Sequence, residues 1–253
     1  WHHQRMIAGQ RVLIVLPVRL GSTRLPQKAI LDKTGKPLVV HAAEQAAKSS
    51  YADQVVIAGD HDDIKSAVEP YGYGYISTGG HHTSGSSRCA EVMESVHADI
   101  VVNVQGDEPE VDPDHIDAVI EAMTDPSAKC STLACPLDPC NQGNPNVVKV
   151  AIACNGTALY FSRSLIPFDR DNAGAEHWRH VGLYAYRPDT LREFCQMPQT
   201  PLEKTEQLEQ LRLLEHGVPI QVVTHQEPSP PGVDTMEQYE AFVGRWFRKH
   251  PPC

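Results

Sequence analysis

Three cations, Arg19, Arg24 and Lys28, fall within ten residues directly after the apolar run Val12 to Pro17. Between them lies the small polar triplet Gly21-Ser22-Thr23. Elsewhere the chain places carboxylates in comparable positions. Asp107 and Glu108 follow Gly106 after "VNVQ", and Asp234 follows "PPGV". Opposite charges gathered at strand ends suit the handling of a polyphosphate. Cations and backbone N–H groups can grip phosphate oxygens, with Gly21 giving the backbone freedom to approach them. Paired carboxylates suit a hard ion such as Mg²⁺, which takes one or two of them together with phosphates and water. The first loop is not a P-loop, because Gln27-Lys28-Ala29 replaces Gly-Lys-Ser/Thr, and the chain has no G-x-G-x-x-G. Asp234 has a second reading, as the N-cap of a following helix.

The elements needed to position these loops can be read from periodicity. Apolar runs at 12–17, 54–58 and 99–104 predict strands covered on both faces. Helices are expected at "KPLVVHAAEQAAKS", opened by Pro37; at "DDIKSAVEPYG", capped by Asp60 or Asp62; and at "SSRCAEVMESV", capped by Ser86 or Ser87. The order strand, helix, strand, helix, helix, strand predicts a parallel α/β sheet. The second half predicts strands at 130–137, 146–153, 158–163, 180–187 and 220–226, with helices at 189–196, 201–216 and 235–249. The expected class is α/β, a three-layer Rossmann-like fold with a mostly parallel sheet and a smaller mixed-sheet insertion. One domain over 11–250 is expected, after an N-terminal extension over 1–10, with the insertion at roughly 130–215.

Bulk properties narrow the function. The chain has 253 residues, 41% of them apolar, and a formal net charge of −10. A nucleic-acid partner is not expected, because phosphate-backbone contacts need a basic face. No run of 18 apolar residues predicts a membrane span, and "WHHQRMIAGQ" lacks the apolar centre of a secretory signal. Seven scattered cysteines fit a reducing, cytoplasmic setting. Cys130, Cys135 and Cys140 are spaced more widely than a zinc knuckle and read as free thiols. His81 and His82 read as polar turn residues.

Taken in order, "PVRLGSTRLPQK", "LDKTGKPLVVH", "HTSGSSR", "VNVQGDEP", "NPNVVKV", "ALYFSRSLIPFDRD", "RHVGLYAYR", "PLEKTEQLEQLR" and "GVDT" resemble the 3-deoxy-manno-octulosonate (Kdo) cytidylyltransferases over roughly residues 11 to 245. The resemblance implies Mg²⁺-dependent transfer of CMP from CTP to Kdo, giving CMP-Kdo and pyrophosphate for lipopolysaccharide synthesis, by a homodimer that uses the 130–215 region for contact. It implies that Arg19, Ser22, Thr23 and Lys28 hold the triphosphate, that Ser84, Gly85, Arg88 and Gln105 lie along the nucleotide, and that Asp107 and Asp234 bind the ion. Lys28, Asp107 and Asp234 would form the catalytic set. For the sugar acid it implies Arg24, Arg163, Arg170, His180, Tyr184, Glu209 and Gln210. From the residues alone, Tyr184 also reads as core, and Glu209 and Gln210 as a solvated face opposite Leu208, Leu211 and Leu214. Two positions depart from the family's usual pattern. Gln27 stands where glycine is usual, and Ser87 where an acidic residue is usual. A cytidylyltransferase for another acidic sugar (8-amino-Kdo or a nonulosonate) and a non-catalytic nucleotide-binding regulator are the competing readings.

Overall fold

In the computed structural model, residues 7, 9–22 and 24–251 are described; Thr23 and most of the 1–10 extension lie outside them. The chain forms two compact units, one from residues 1–116 with 230–253, the other from residues 117–229. The second unit encloses the 130–215 stretch.

In the first unit, β1 (Val12–Pro17), β2 (Gln54–Gly59), β3 (Gly74–Ser77) and β4 (Ile100–Asn103) form a parallel array in the order β3-β2-β1-β4. Ile14 aligns with Val55 on one side and Val102 on the other. Val12 through Leu16 are fully buried, as a strand between two parallel neighbours requires. The chain progresses outward from β1 to β2 and β3, then crosses to β4 on the far side of β1. The order therefore reverses at β1/β4, and the segments leaving these two strands are the cationic loop and the acidic turn. Ligands of open α/β sheets bind at such a reversal.

Helices α1 (Leu38–Ala46), α2 (Asp62–Val68) and α3 (Gly85–Val92) connect these strands. Helix α4 (Pro113–Glu121), which the sequence reading did not anticipate, leads toward the second unit. The strand β3 was also not anticipated, so two helices were expected in succession where a strand intervenes. The expected caps differ too. His61, through Nδ1, accepts from Asp63 N at the start of α2, and Ser84 caps α3 by accepting from Ser87 N.

The second unit carries β5 (Cys130–Pro136), β6 (Lys149–Ile152), β7 (Ala158–Ser162), β8 (Trp178–Tyr186) and β9 (Gln221–Thr224). β5 pairs antiparallel with β8 and parallel with β9, while β6 pairs antiparallel with both β7 and β8. The α/β class with parallel strands and a mixed portion is thus as expected. Helix α5 (Pro188–Gln196) follows β8. The expected helix over 201–216 is two short helices, α6 (Pro201–Glu206) and α7 (Leu211–Glu215). The break is at Gln207, whose φ of 53° is left-handed. It is held there by Arg163, which donates to Glu206 O and Gln207 O from across the unit.

The chain ends in α8 (Met236–Lys249), which rejoins the first unit. Its Tyr239 and Phe242 pack with Leu25, Leu38 and Val233. Tyr239 Oη also accepts from Lys33 N at 2.7 Å. These contacts fix the base of the cationic loop, because Leu25 lies between Arg24 and Lys28. Among the described residues, no helix is long and apolar enough to cross a membrane.

Candidate active site

The cationic loop leaves β1 with its path set by the backbone. Val18 N donates to Ala58 O, Leu20 N to Asp60 Oδ1, and Ser22 N to Leu20 O. A side chain at Gly21 would meet nothing, and its φ is not left-handed, so the loop's conformation does not depend on a glycine there. The residue that does occupy the left-handed region is Gln27, with φ 55°, immediately before the single turn of 3₁₀ helix that begins at Lys28. The unusual Gln27 therefore falls where glycine is conformationally cheapest. Gln27→Gly is expected to stabilise the protein by about 0.5 kcal/mol, roughly 1–2 °C in Tm, once the extra freedom of glycine in the unfolded chain is set against relief of the left-handed backbone. A thermal melt of the two proteins measures this.

Loop, strand ends and α3 surround a cleft of about 260 Å³. Of the residues singled out from the sequence, Arg19, Ser22, Arg24, Lys28, Ser84, Gly85, Arg88, Gln105, Asp107 and Asp234 all line it. Close packing shapes its floor. A Cβ at Gly106 would come within 2.2 Å of Val18 Cγ1, and one at Gly85 within 3.0 Å of Pro17 Cγ. Gly85 thus lets the first turn of α3 press against the end of β1.

The charges within the cleft are interlocked. Lys28 Nζ donates to Asp107 Oδ2 at 2.5 Å and to Asp234 Oδ1 at 3.0 Å, and Arg24 Nη2 donates to the same Asp234 oxygen at 3.0 Å. Two carboxylates 127 positions apart in the chain therefore face one point. Val233 N donates to Asp107 O at 2.8 Å and fixes their backbones together. The N-cap of α8 is Thr235, with Gln238 completing a capping box. Gln238 Oε1 also accepts from Asp234 N at 2.7 Å. This leaves the Asp234 carboxylate to face the cleft, so the cap reading of Asp234 does not hold. The pair suits a divalent ion. Two aspartate carboxylates supply hard oxygen donors at one point, and no described group of three or more His, Cys, Asp or Glu side chains forms a metal site. An ion held here would take its remaining ligands from phosphate, substrate or water.

Arg88, expected beside the nucleotide, lines the cleft with little of its surface open. It is 3% exposed, pairs with Asp60 at 3.3 Å and donates closely to Thr78 Oγ1. Since Asp60 also accepts from Leu20 N, Arg88 couples α3 to the cationic loop. A residue read as a plain turn also lines the cleft. His82 touches Ser87 Oγ through Nδ1 at 3.0 Å and makes a very short contact with Glu91 through Nε2. Hydrogen bonding to His82 holds the Glu91 carboxyl below its ordinary range, against a smaller opposing effect of burial. Ser87 and Glu91 lie four apart on one face of α3. Both side chains engage His82 from that face, and nothing in the structure explains serine rather than an acidic residue at position 87.

In the second unit, His180 Nε2 lies 3.0 Å from Thr132 Oγ1, and the ring meets Phe161 edge-on and Tyr184 at 5.5 Å. Burial, and then the charge of Arg179, push the His180 imidazole down to about 3, so it is neutral at ordinary pH. Tyr184 is buried, and burial, with smaller contributions from Cys130 and Glu209, pushes its phenol up. Gln210 is buried and Glu209 half-buried. They are not the solvated face expected of one continuous helix, because the chain breaks before them. Arg170 is exposed. Arg163, also expected at the sugar acid, is half-buried. Its guanidinium donates to the carbonyls of Glu206, Pro145 and Gln207, and it acts as a backbone clamp.

The cytidylyltransferase family profile matches residues 13–220. A 3-deoxy-manno-octulosonate cytidylyltransferase of Chlorobium limicola is 44% identical over 242 residues, covering 94% of this chain and 97% of the relative. The protein of the same name from Neisseria gonorrhoeae is 44% identical over 241 residues, covering 90% and 95%. The chain belongs to the 3-deoxy-manno-octulosonate cytidylyltransferase family. A solved structure described as CMP:2-keto-3-deoxy-manno-octonic acid synthetase complexed with CTP superposes with a TM-score of 0.91 at 38% identity, covering 94% of this chain and 99% of that one. A 4-diphosphocytidyl-2C-methyl-D-erythritol synthase from Anaerococcus prevotii, at 15% identity and a TM-score of 0.64, shares the fold of these cytidylyltransferases.

Proposed function

We propose that this protein transfers CMP from CTP to the anomeric hydroxyl of Kdo, giving CMP-Kdo and pyrophosphate, with Mg²⁺ as the ion. The observation that carries this reading is the cleft in which the cationic loop meets a convergent pair of carboxylates. Arg19, Ser22 and Lys28, with Thr23, would hold the triphosphate; Ser84, Gly85 and Gln105 would border the nucleoside. The anomeric hydroxyl attacks the α-phosphorus and gives up its proton to solvent, the bond from that phosphorus to the bridging oxygen breaks, and pyrophosphate leaves. The attacking sugar is itself an acid, so two anions must be brought together. Arg24 and Lys28 reduce that repulsion, and Lys28 offsets charge developing on the phosphates. An ion held by Asp107 and Asp234 would neutralise phosphate charge and lower the pKa of the attacking hydroxyl.

For the sugar acid we assign His180, Tyr184, Glu209, Gln210 and Arg170 of the second unit. A neutral His180 can orient a sugar hydroxyl as donor or acceptor, whereas an imidazolium would only donate. The 130–215 region is assigned to homodimer contact, with exposed Leu159 and Phe168 as apolar candidates there, and the CTP-consuming reaction to the cytoplasm. The test is pyrophosphate release by purified protein with CTP and Mg²⁺ over a panel of sugar acids. Kdo is expected to exceed 8-amino-Kdo and nonulosonates by about 10-fold or more in kcat/KM, the scale of losing or adding one matched polar contact. A higher value for another sugar acid transfers the assignment to that sugar. CTP binding with no pyrophosphate from any of them establishes the regulator instead.

A further inference from the structure

The Lys28 ammonium stands where the two carboxylates converge. It is 2.5 Å from Asp107 Oδ2 and 3.0 Å from Asp234 Oδ1, on a side chain only 14% exposed. Asp234 Oδ1 accepts from Arg24 at 3.0 Å as well. A single carboxylate oxygen offers about two lone-pair directions, so both of those on Oδ1 face cations of the protein itself. Mg²⁺ would need such an oxygen at about 2.0–2.1 Å. An ammonium and a divalent ion cannot both occupy that point. They compete for the same pair of carboxylate charges, and at such separation they repel.

We propose that Lys28 latches the metal site. Its ammonium competes with the divalent ion for Asp107 and Asp234, and a nucleoside triphosphate frees the carboxylates by giving Lys28 and Arg24 a more highly charged partner. This rests on the assignment of the two aspartates as the ion's ligands. The structure carries it through one shared atom: Asp234 Oδ1 accepts from both Lys28 and Arg24, two cations that line the cleft. Nucleotide and ion then favour one another by the same factor in either order of addition. A stray divalent ion, arriving without nucleotide, meets a site already neutralised by Lys28 and Arg24. The same side chain thereby links two events, release of the ion's ligands and engagement of the phosphates, that would otherwise be independent.

The experiment titrates Mn²⁺ alone into the full-length protein without nucleotide and follows free Mn²⁺ by electron paramagnetic resonance, with a melting curve to establish that each variant is folded. Lys28→Met is expected to bind Mn²⁺ about 10-fold or more tighter than wild type, the scale of removing one cation in direct contact with the ligands. Lys28→Gln, which keeps a polar group, is expected to gain affinity in the same direction. Lys28→Arg, which keeps the charge, is expected to stay close to wild type. Equal affinity for wild type and both neutral variants overturns the latch. The double variant Lys28→Met/Asp107→Asn is expected to lose the gain. If the gain persists there, the ion sits elsewhere, and the assignment of its ligands falls with the latch. Pyrophosphate release by wild type with CTP and Kdo tests the reaction separately, so a failed latch and a failed reaction are told apart.

Discussion

Asp107→Asn is expected to lower the rate of pyrophosphate release by about 10²–10³ or more, the scale of removing one preorganised electrostatic contact at a reacting centre, while the protein stays folded. The substitution keeps shape and removes charge. Its main-chain carbonyl still accepts from Val233 N, so the turn after β4 and the segment before α8 remain joined. What changes is the balance at Lys28, which keeps Asp234 and loses a partner at 2.5 Å. One carboxylate remains of the pair assigned to the ion. Steady-state kinetics with CTP and Kdo, beside a melting curve, measure both halves of this expectation. Activity near that of wild type removes Asp107 from the ion's ligands.

The largest expected effect on stability lies in the second unit. Glu203 is buried on α6 and accepts from Arg212 Nε at 2.8 Å and Nη2 at 2.5 Å, and from Thr200 N at 3.3 Å. The Arg212 guanidinium lies 5.0 Å over the Phe194 ring and is itself largely buried. Glu203→Ala strands that cation. The expected loss is about 3–5 kcal/mol, or roughly 10 °C in Tm for a chain of this size. Burial alone would raise the Glu203 carboxyl. The hydrogen bonds from Arg212 and Thr200, with the charge of Arg212, outweigh it and hold the carboxyl below its ordinary range. The sign of the pH dependence follows. A depressed carboxylate contributes stability that is present above its unfolded pKa and is lost as pH falls through the folded value. The gap between wild type and Glu203→Ala should therefore be widest near neutrality and narrow in acid. Melting both proteins across that range checks the magnitude and the direction together.

The buried strands were legible because a parallel strand covered on both faces is an unbroken apolar run, as at 12–17 and 99–104. β3 was not, because Gly74-Tyr75-Ile76-Ser77 is four residues long, half-exposed, and carries no such run. The division of 201–216 was hidden for a different reason. The leucine spacing continues through the break, and the cause of the break is Arg163, more than forty residues away in the chain. The cleft followed the same division. Its charges could be found locally, since Lys28, Asp107 and Asp234 stand out at element ends. Their mutual neutralisation could not, nor could the pairing of Arg88 with Asp60. Those depend on which side chains the fold brings opposite one another. Gln27 joins both cases. The residue was visible as unusual, while the left-handed backbone that makes it so required the structure.

The first unit is assembled from both ends of the chain, residues 1–116 and 230–253. During synthesis, a ribosome that has already delivered every strand of both units has still not released Asp234, or the Tyr239 and Phe242 that support the loop around Leu25. The first unit is therefore incomplete until the segment from residue 230 onward emerges, and a product truncated at position 229 would keep every strand but only one of the two aspartates that meet at Lys28.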